Sequence, residues 1–318
     1  MDTTAPGSTQ AFPIPSSVSE QAQRWLALQL PRPVYPALDD TAAWLSYIEQ
    51  NDSFVRSQFG AGVAVPVQTE KSELGGVPTY VLSSAEVTEP GTGPVYLSIH
   101  GGALILGGGD LVGLMSSGAA MTSGMTTYAI DYRMPPLHPY PAALDDCMAA
   151  YRALLDARDP ADVFVSGGSA GGNLAAALML RAKDEGLPMP AGLVLFTPEV
   201  DLTESGDSFA VLADADNVLS RAMPVNLLYA AGHDLTDPYL SPLFGDLTGF
   251  PPTLLQTGTR DLFLSNTVRM HRKLRAAGVA AELHVHEAMP HGGFGGASPE
   301  DRDLNAETRR FLDQLRRR

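Results

Sequence analysis

Asp162-Val163-Phe164-Val165-Ser166-Gly167-Gly168-Ser169-Ala170-Gly171-Gly172-Asn173-Leu174-Ala175-Ala176-Ala177-Leu178 joins three local patterns in one run. Within it, Val163-Phe164-Val165 is β-branched and aromatic, which favours a strand. The Ala- and Leu-rich run from Asn173 favours a helix. Between them, Gly167-Gly168-Ser169-Ala170-Gly171 fits the pattern G-x-S-x-G. In a chain with 31 glycines that pattern alone carries little weight. The setting strengthens it: a sharp strand-to-helix turn lifts a serine hydroxyl above the sheet, and flanking side chains would clash in so tight a turn. Ser169 is therefore the candidate nucleophile. The plain alternative is a glycine-rich loop with no chemistry.

Outward from this unit, strand and helix patterns alternate. Strands are expected at Val95–Ile99, Thr126–Ile130, Gly192–Phe196, Thr253–Gln256 and Ala281–His286, and helices at Ala142–Asp156, Gly171–Glu185, Asn266–Ala277 and Pro299–Arg316. Repeated βα order predicts an α/β protein with a mostly parallel sheet covered on both faces. Ahead of it, Val65–Ser72 and Val77–Ser84 flank Gly75-Gly76 and read as a hairpin. Pro78 cannot donate to a ladder and favours an edge position. Met1–Ser17 reads as an arm, followed by helices near Ser19–Leu30 and Asp39–Phe59, the second opened by the cap cluster Asp39-Asp40-Thr41. Glu204–Phe250 breaks the alternation, with a helix near Ala222–Ala231, and a long insertion between core strands is often a lid. Residues 1–60 are thus an arm with cap helices, and 61–318 the core, with a cap insertion near 204–250.

His100-Gly101-Gly102-Ala103 directly follows the Val95–Ile99 strand. Glycines there let backbone N–H groups point into a cavity, where they can hold a developing oxyanion together with the N–H of the residue after the nucleophile, Ala170. Which of Gly101, Gly102 and Ala103 donate is open, and Gly101 and Gly102 are favoured. Gly107-Gly108-Gly109 does not resemble a dinucleotide fingerprint, because no tight G-x-G-x-x-G opens a helix there.

A serine needs a base and the base needs an orienting acid, in the chain order Ser, acid, His. Of seven histidines, His100 and His138 come too early, His233 lies in the insertion, and His271 falls inside a helix pattern. His284 and His286 share one face of a strand. His291, in the loop Met289-Pro290-His291-Gly292-Gly293, is the candidate base, with His286 as the alternative. Asp261 follows the Thr253–Gln256 strand and is the candidate acid. Asp234 and Asp237, in the insertion, are weaker, and the plain role for Asp261 is to cap the next helix.

These residues resemble the bacterial hormone-sensitive-lipase-like esterases of the α/β-hydrolase fold. The resemblance rests on His100-Gly101-Gly102, Asp131-Tyr132-Arg133, the stretch His138-Pro139-Tyr140-Pro141-Ala142-Ala143-Leu144-Asp145-Asp146, Gly168–Leu174, Asp261 and His291. It implies an eight-stranded, mostly parallel core, a helical cap built from the N-terminal segment and the insertion, and structural roles for Asp131, Arg133 and Asp146. Three departures stand out: Ala103 replaces a usual third glycine, Gly168 replaces a usual Asp or Thr, and Gly292-Gly293-Phe294 is a more flexible version of the loop after the histidine.

The activity implied is hydrolysis of small, short-chain carboxylic esters through Ser169, His291 and Asp261. Lactone or amide cleavage by the same three residues is the enzymatic rival, and a noncatalytic ligand receptor is the rival from another class. The net charge of −15 argues against nucleic acid and anionic membrane as partners. No stretch reaches the ~18 apolar residues of a membrane span, and the N-terminus lacks a basic and then apolar leader. The expectation is a cytoplasmic protein acting on a small-molecule ester, with a homodimer left open. The single cysteine, Cys147, allows no intrachain disulfide and suits a buried helix face. No metal-ligand spacing such as H-E-x-x-H occurs, so neither metal nor organic cofactor is expected.

Overall fold

The computed structural model describes residues 12–28, 30–59 and 67–316. The first part of the expected arm, the start of the Val65 strand, and Arg317 and Arg318 lie outside them. The described residues form one eight-stranded sheet in the order β1-β2-β4-β3-β5-β6-β7-β8. The strands are β1 (Val67–Leu74), β2 (Val77–Ser84), β3 (Val95–Ile99), β4 (Thr126–Ile130), β5 (Val163–Gly168), β6 (Gly192–Phe196), β7 (Thr253–Gly258) and β8 (Ala281–His286). β1 and β2 form the expected hairpin, with Val77 opposite Leu74, and β2 meets β4 antiparallel. Every pairing from β4 through β8 is parallel.

The helices are α1 (Glu20–Leu26), α2 (Thr41–Phe59), α3 (Leu111–Ser123), α4 (Ala142–Ala157), α5 (Ala170–Asp184), α6 (Ser208–Val211), α7 (Met223–Ala230), α8 (Leu264–Ala276) and α9 (Pro299–Arg316). α2 starts where the cap cluster predicts, with Asp40 Oδ1 accepting the Ala43 N–H at 2.9 Å. α5 is buried along most of its length, as a central helix against a parallel sheet must be. Cys147 is fully buried in the core with Leu144, Tyr151 and Leu174.

Two expectations need correction. Pro78 is not on an edge, because β2 is paired on both sides. The β2–β4 pairing begins only at Thr79, and the Pro78 carbonyl accepts from Asp131 N on that side, so the missing N–H falls where the ladder has ended. Helix α3 was not foreseen. Its sequence, Leu-Val-Gly-Leu-Met-Ser-Ser-Gly-Ala-Ala-Met-Thr-Ser, is a poor helix former, and burial rather than propensity makes it. Gly113 lets it approach the sheet, since a Cβ there would lie 3.3 Å from Thr69 Cγ2 and 3.5 Å from Tyr80 Cδ1.

The stretch from Asp131 to Asp146 folds as a structural clasp. Asp146 accepts from the Arg133 backbone N–H at 2.8 Å and from its guanidinium at 2.8–3.1 Å. Asp131 Oδ1 accepts the Gly109 N–H at 2.9 Å, tying the glycine-rich loop to the end of β4.

The N-terminal helices and the insertion meet over the C-terminal ends of the strands. Trp44 of α2 packs with Ile105, Ala222 and Val225, and Tyr35, Tyr47 and Ala103 pack around them. Asp52 of α2 accepts the Gly107 N–H at 3.0 Å. α1 packs on Ala288, Met289 and Phe294 through Val18, Ala22 and Leu26. Phe294 therefore lies under α1.

Candidate active site

The turn between β5 and α5 places Ser169 at φ 55°, ψ −123°, a left-handed conformation costly for a residue with a Cβ. Its surroundings hold it there. The Ser169 N–H donates to Phe196 O at 2.9 Å, and its carbonyl accepts from Gly172, Asn173 and Glu199 at 2.9, 3.2 and 3.1 Å. The turn needs glycine for a steric reason: a Cβ on Gly171 would sit 2.0 Å from the Ile99 carbonyl oxygen. Gly168 is different. A Cβ there meets nothing closer than 3.7 Å, so space does not demand glycine at this position.

Ser169, His291 and Asp261 converge from three different strand ends. His291 Nε2 lies 2.9 Å from Ser169 Oγ. His291 Nδ1 lies 3.0 Å from Asp261 Oδ1. A carboxylate only accepts, so Nδ1 carries the proton and Nε2 is left to accept from the serine. Asp261 is fully buried. It also accepts from the Thr257 hydroxyl at 2.6 Å and the Phe263 N–H at 3.0 Å, so it helps start α8 as well as orienting the imidazole. Phe263 meets the His291 ring edge-on, with centroids 4.9 Å apart.

Burial alone would lower the His291 pKa. The hydrogen bond and charge of Asp261, followed by the charges of Asp216 and Glu199, outweigh it, and the pKa is raised above 6.5.

The alternatives fall away from this centre. His284 and His286 do share a face of β8, and both turn to Glu307 of α9, His286 Nε2 at 3.8 Å. Asp234 and Asp237 accept the Thr236 and Tyr239 N–H groups at 2.9 and 2.8 Å and close local turns.

Gly101 lies against Ser169: a Cβ built on it would be 3.0 Å from Gly168 O and 3.3 Å from Ser169 Cβ. The loop turns at Gly102, whose carbonyl accepts from Ile105 and Leu106 at 3.0 and 2.8 Å. Ala103 then adopts φ 52°, so the alanine stands where a glycine would be unstrained, at a cost of about 1 kcal/mol. Ala170 opens α5, and its N–H has no acceptor within the helix. His100 anchors the loop from below. Its ring stacks on Tyr132 at 4.2 Å, the Tyr132 hydroxyl donates to its carbonyl at 2.8 Å, and burial drives its pKa down to about 4.

Two buried acids near the site had no signal in the sequence. Asp216, in the insertion, accepts the His291 N–H at 3.3 Å and the Leu262 N–H at 2.9 Å on one oxygen, and the Val218 and Leu219 N–H groups on the other. Glu199, just past β6, is 2% exposed, and burial foremost pushes its pKa up to about 8. Among the described residues, no cluster of three or more His, Cys, Asp or Glu is placed to hold a metal, and no helix is long and apolar enough to cross a membrane.

Residues 96–294 match the family model Abhydrolase_3, described by its α/β hydrolase fold. An esterase from Acinetobacter venetianus is 37% identical over 195 residues, which are 60% of this chain and 64% of that protein, so the match spans just under two thirds of the relative. The crystal structure of an esterase, E25, superposes with a TM-score of 0.85 at 33% identity, covering 98% of this chain and 99% of that one. An esterase from the bacterial hormone-sensitive lipase family superposes with a TM-score of 0.77 at 29% identity, covering 94% and 98%. The chain belongs to the α/β-hydrolase family and, within it, to the esterases of the bacterial hormone-sensitive-lipase type.

Proposed function

We propose that this protein is a serine carboxylesterase that hydrolyses small, short-chain esters by acyl transfer. The observation that carries the reading is the unbroken relay from Ser169 Oγ through His291 to Asp261, at 2.9 and 3.0 Å. His291 Nε2 takes the hydroxyl proton as Ser169 Oγ attacks the ester carbonyl. The negative oxygen formed is held by the N–H groups of Gly101, Gly102 and Ala170, each such donor being worth about 3 kcal/mol. His291 returns the proton to the departing alcohol oxygen. Water then attacks the acyl-enzyme with His291 again as base, releasing the acid and restoring Ser169. Asp261 keeps the proton on Nδ1 and stabilises the imidazolium.

The N-terminal helices and the 204–250 insertion serve as the cap in this reading. The contact of Trp44 with Ile105 and Val225 supports it, because it brings α2 and the helix of the insertion onto the loop that carries Gly101 and Gly102. A closed cap of this kind limits acyl length.

The test is a series of p-nitrophenyl esters of increasing acyl length, run on wild type and on Ser169→Ala. Turnover should fall beyond about eight acyl carbons, and the variant should lose roughly four orders of magnitude or more while keeping its circular dichroism. Substantial turnover by Ser169→Ala would remove the nucleophile from this account.

A further inference from the structure

Three acids are buried on the short stretch that follows β6, and two of them are satisfied within the protein. Asp201 accepts from the Thr203 N–H at 3.0 Å, the Ser205 hydroxyl at 2.7 Å and the Arg269 guanidinium at 2.7 Å. Glu204 accepts the Ala222 N–H at 2.8 Å, with Arg221 at 3.9 Å. Glu199 differs. Its side chain is almost wholly buried, and its Oε1 has no hydrogen-bond partner among the described residues. Leaving such a group unpaired costs about 1–3 kcal/mol.

The backbone of Glu199 is fixed beside the nucleophile. Its N–H donates to Ser169 O at 3.1 Å, and its carbonyl accepts from Asn173 Nδ2 at 2.8 Å. The charged and titratable groups that act on its carboxyl are Glu204, His291 and Asp201, and its own charge reaches Tyr35 of the N-terminal segment. Asn226 of α7 is the amide that interacts with it. That side chain spends an N–H on Leu202 O at 3.0 Å and leaves its own Oδ1 without a partner. Two buried oxygens, Glu199 Oε1 and Asn226 Oδ1, thus lack a partner among the described residues, and the Glu199 backbone is hydrogen-bonded to that of Ser169.

We propose that Glu199 is a specificity residue: its carboxyl, with Asn226 Oδ1, hydrogen-bonds a hydroxyl group carried by the ester near its scissile bond. A hydroxyl fits both needs at once, since its oxygen accepts the proton of the buried acid and its hydrogen donates to the amide oxygen. A carbonyl could only accept and an ammonium could only donate. This inference rests on Ser169 as nucleophile.

The experiment compares two isosteric pairs: p-nitrophenyl 3-hydroxybutyrate with p-nitrophenyl 3-methylbutyrate, and 2-hydroxyethyl butyrate with propyl butyrate. The first places the hydroxyl on the acyl side and the second on the alcohol side. In at least one pair, the hydroxy-to-alkyl ratio of kcat/KM should be about tenfold higher in wild type than in Glu199→Leu, with Glu199→Gln between them. A second measurement does not depend on the Leu variant folding. The wild-type ratio should fall as pH rises past about 8, where the acid loses its proton, and stay flat in Glu199→Gln. Ratios that agree within about twofold across variants and pH, in both pairs, overturn the proposal. Failure of the nucleophile assignment looks different: all four esters would then survive Ser169→Ala, whatever their ratios.

Discussion

Asp216 holds the backbone of His291: one carboxylate oxygen accepts the His291 N–H at 3.3 Å and the Leu262 N–H, next to Asp261, at 2.9 Å. A single residue of the insertion thus ties together the loops that carry His291 and Asp261. Its other oxygen accepts the Val218 and Leu219 N–H groups at 2.9 and 3.0 Å, so all its bonds are to N–H donors. Asp216→Asn must turn an NH₂ toward two of those donors, whichever way the amide is flipped. The variant should lose about 1–3 kcal/mol of stability. It should also lower the His291 pKa, because the Asp216 charge helps raise it. The acid limb of kcat/KM then moves to lower pH. A thermal melt and a pH profile read the two effects, and an unmoved acid limb in a folded variant counts against the link.

The pH profile of the wild type follows from the same group. His291 must be neutral to accept the serine proton, and its pKa lies above 6.5. Activity should be low in acid and climb to a plateau on the alkaline side of that value. The stability contribution of this histidine runs the other way. A raised folded pKa is stabilising in full below about 6.5 and is lost as pH rises through the folded value. Activity and melting temperature, measured on the same samples across this range, should trend in opposite directions as far as His291 governs them.

Glu199 makes a prediction that requires no substrate. Its folded pKa of about 8 stands well above the usual 4.5, so the folded state keeps a proton that the unfolded state has released. Its stabilising contribution is complete below 4.5 and is lost as pH rises to 8, at up to about 1.4 kcal/mol per pH unit. Glu199→Gln removes this dependence. The variant should gain on wild type by several kcal/mol between pH 5 and pH 9, read from denaturant midpoints at each pH. Parallel curves for the two proteins would show that the carboxyl is not buried as described.

His291→Gln and His286→Gln give a paired comparison. The first breaks the contact at 2.9 Å to Ser169 and should cost about four orders of magnitude in kcat. The second touches a β8 side chain turned toward Glu307 of α9 and should change kcat less than about threefold. An inactive His286 variant beside an active His291 variant would exchange their roles.

The convergence of Ser169, Asp261 and His291 was legible because each lies in the loop that follows a strand pattern, at the end of a parallel sheet where this fold gathers side chains. Asp216 and Glu199 were not. An aspartate in a polar insertion reads as solvated, and only the folded chain shows it under four backbone donors. Glu199 follows β6 with no motif of its own, and its burial depends on α7 and the N-terminal segment, which lie far away in sequence. Helix α3 was hidden for a related reason: Gly113 and Gly118 weaken its local preference, while its closeness to β2 supplies the compensation. Pro78 misled because a proline rule about ladders says nothing of where a ladder stops.

The Cβ that cannot exist at Gly171, 2.0 Å from the Ile99 carbonyl oxygen, bears on how such a protein can diversify. The turn that holds Ser169 and the end of the strand that leads into Gly101 and Gly102 touch backbone to backbone, so neither can drift without dislodging the other. Mutational libraries placed there will return mostly dead clones. Where Trp44 of α2 packs on Ala222 and Val225 the contacts are between side chains, so substitution there should be tolerated better. Lineages built on this chassis should keep their reaction and exchange their substrates.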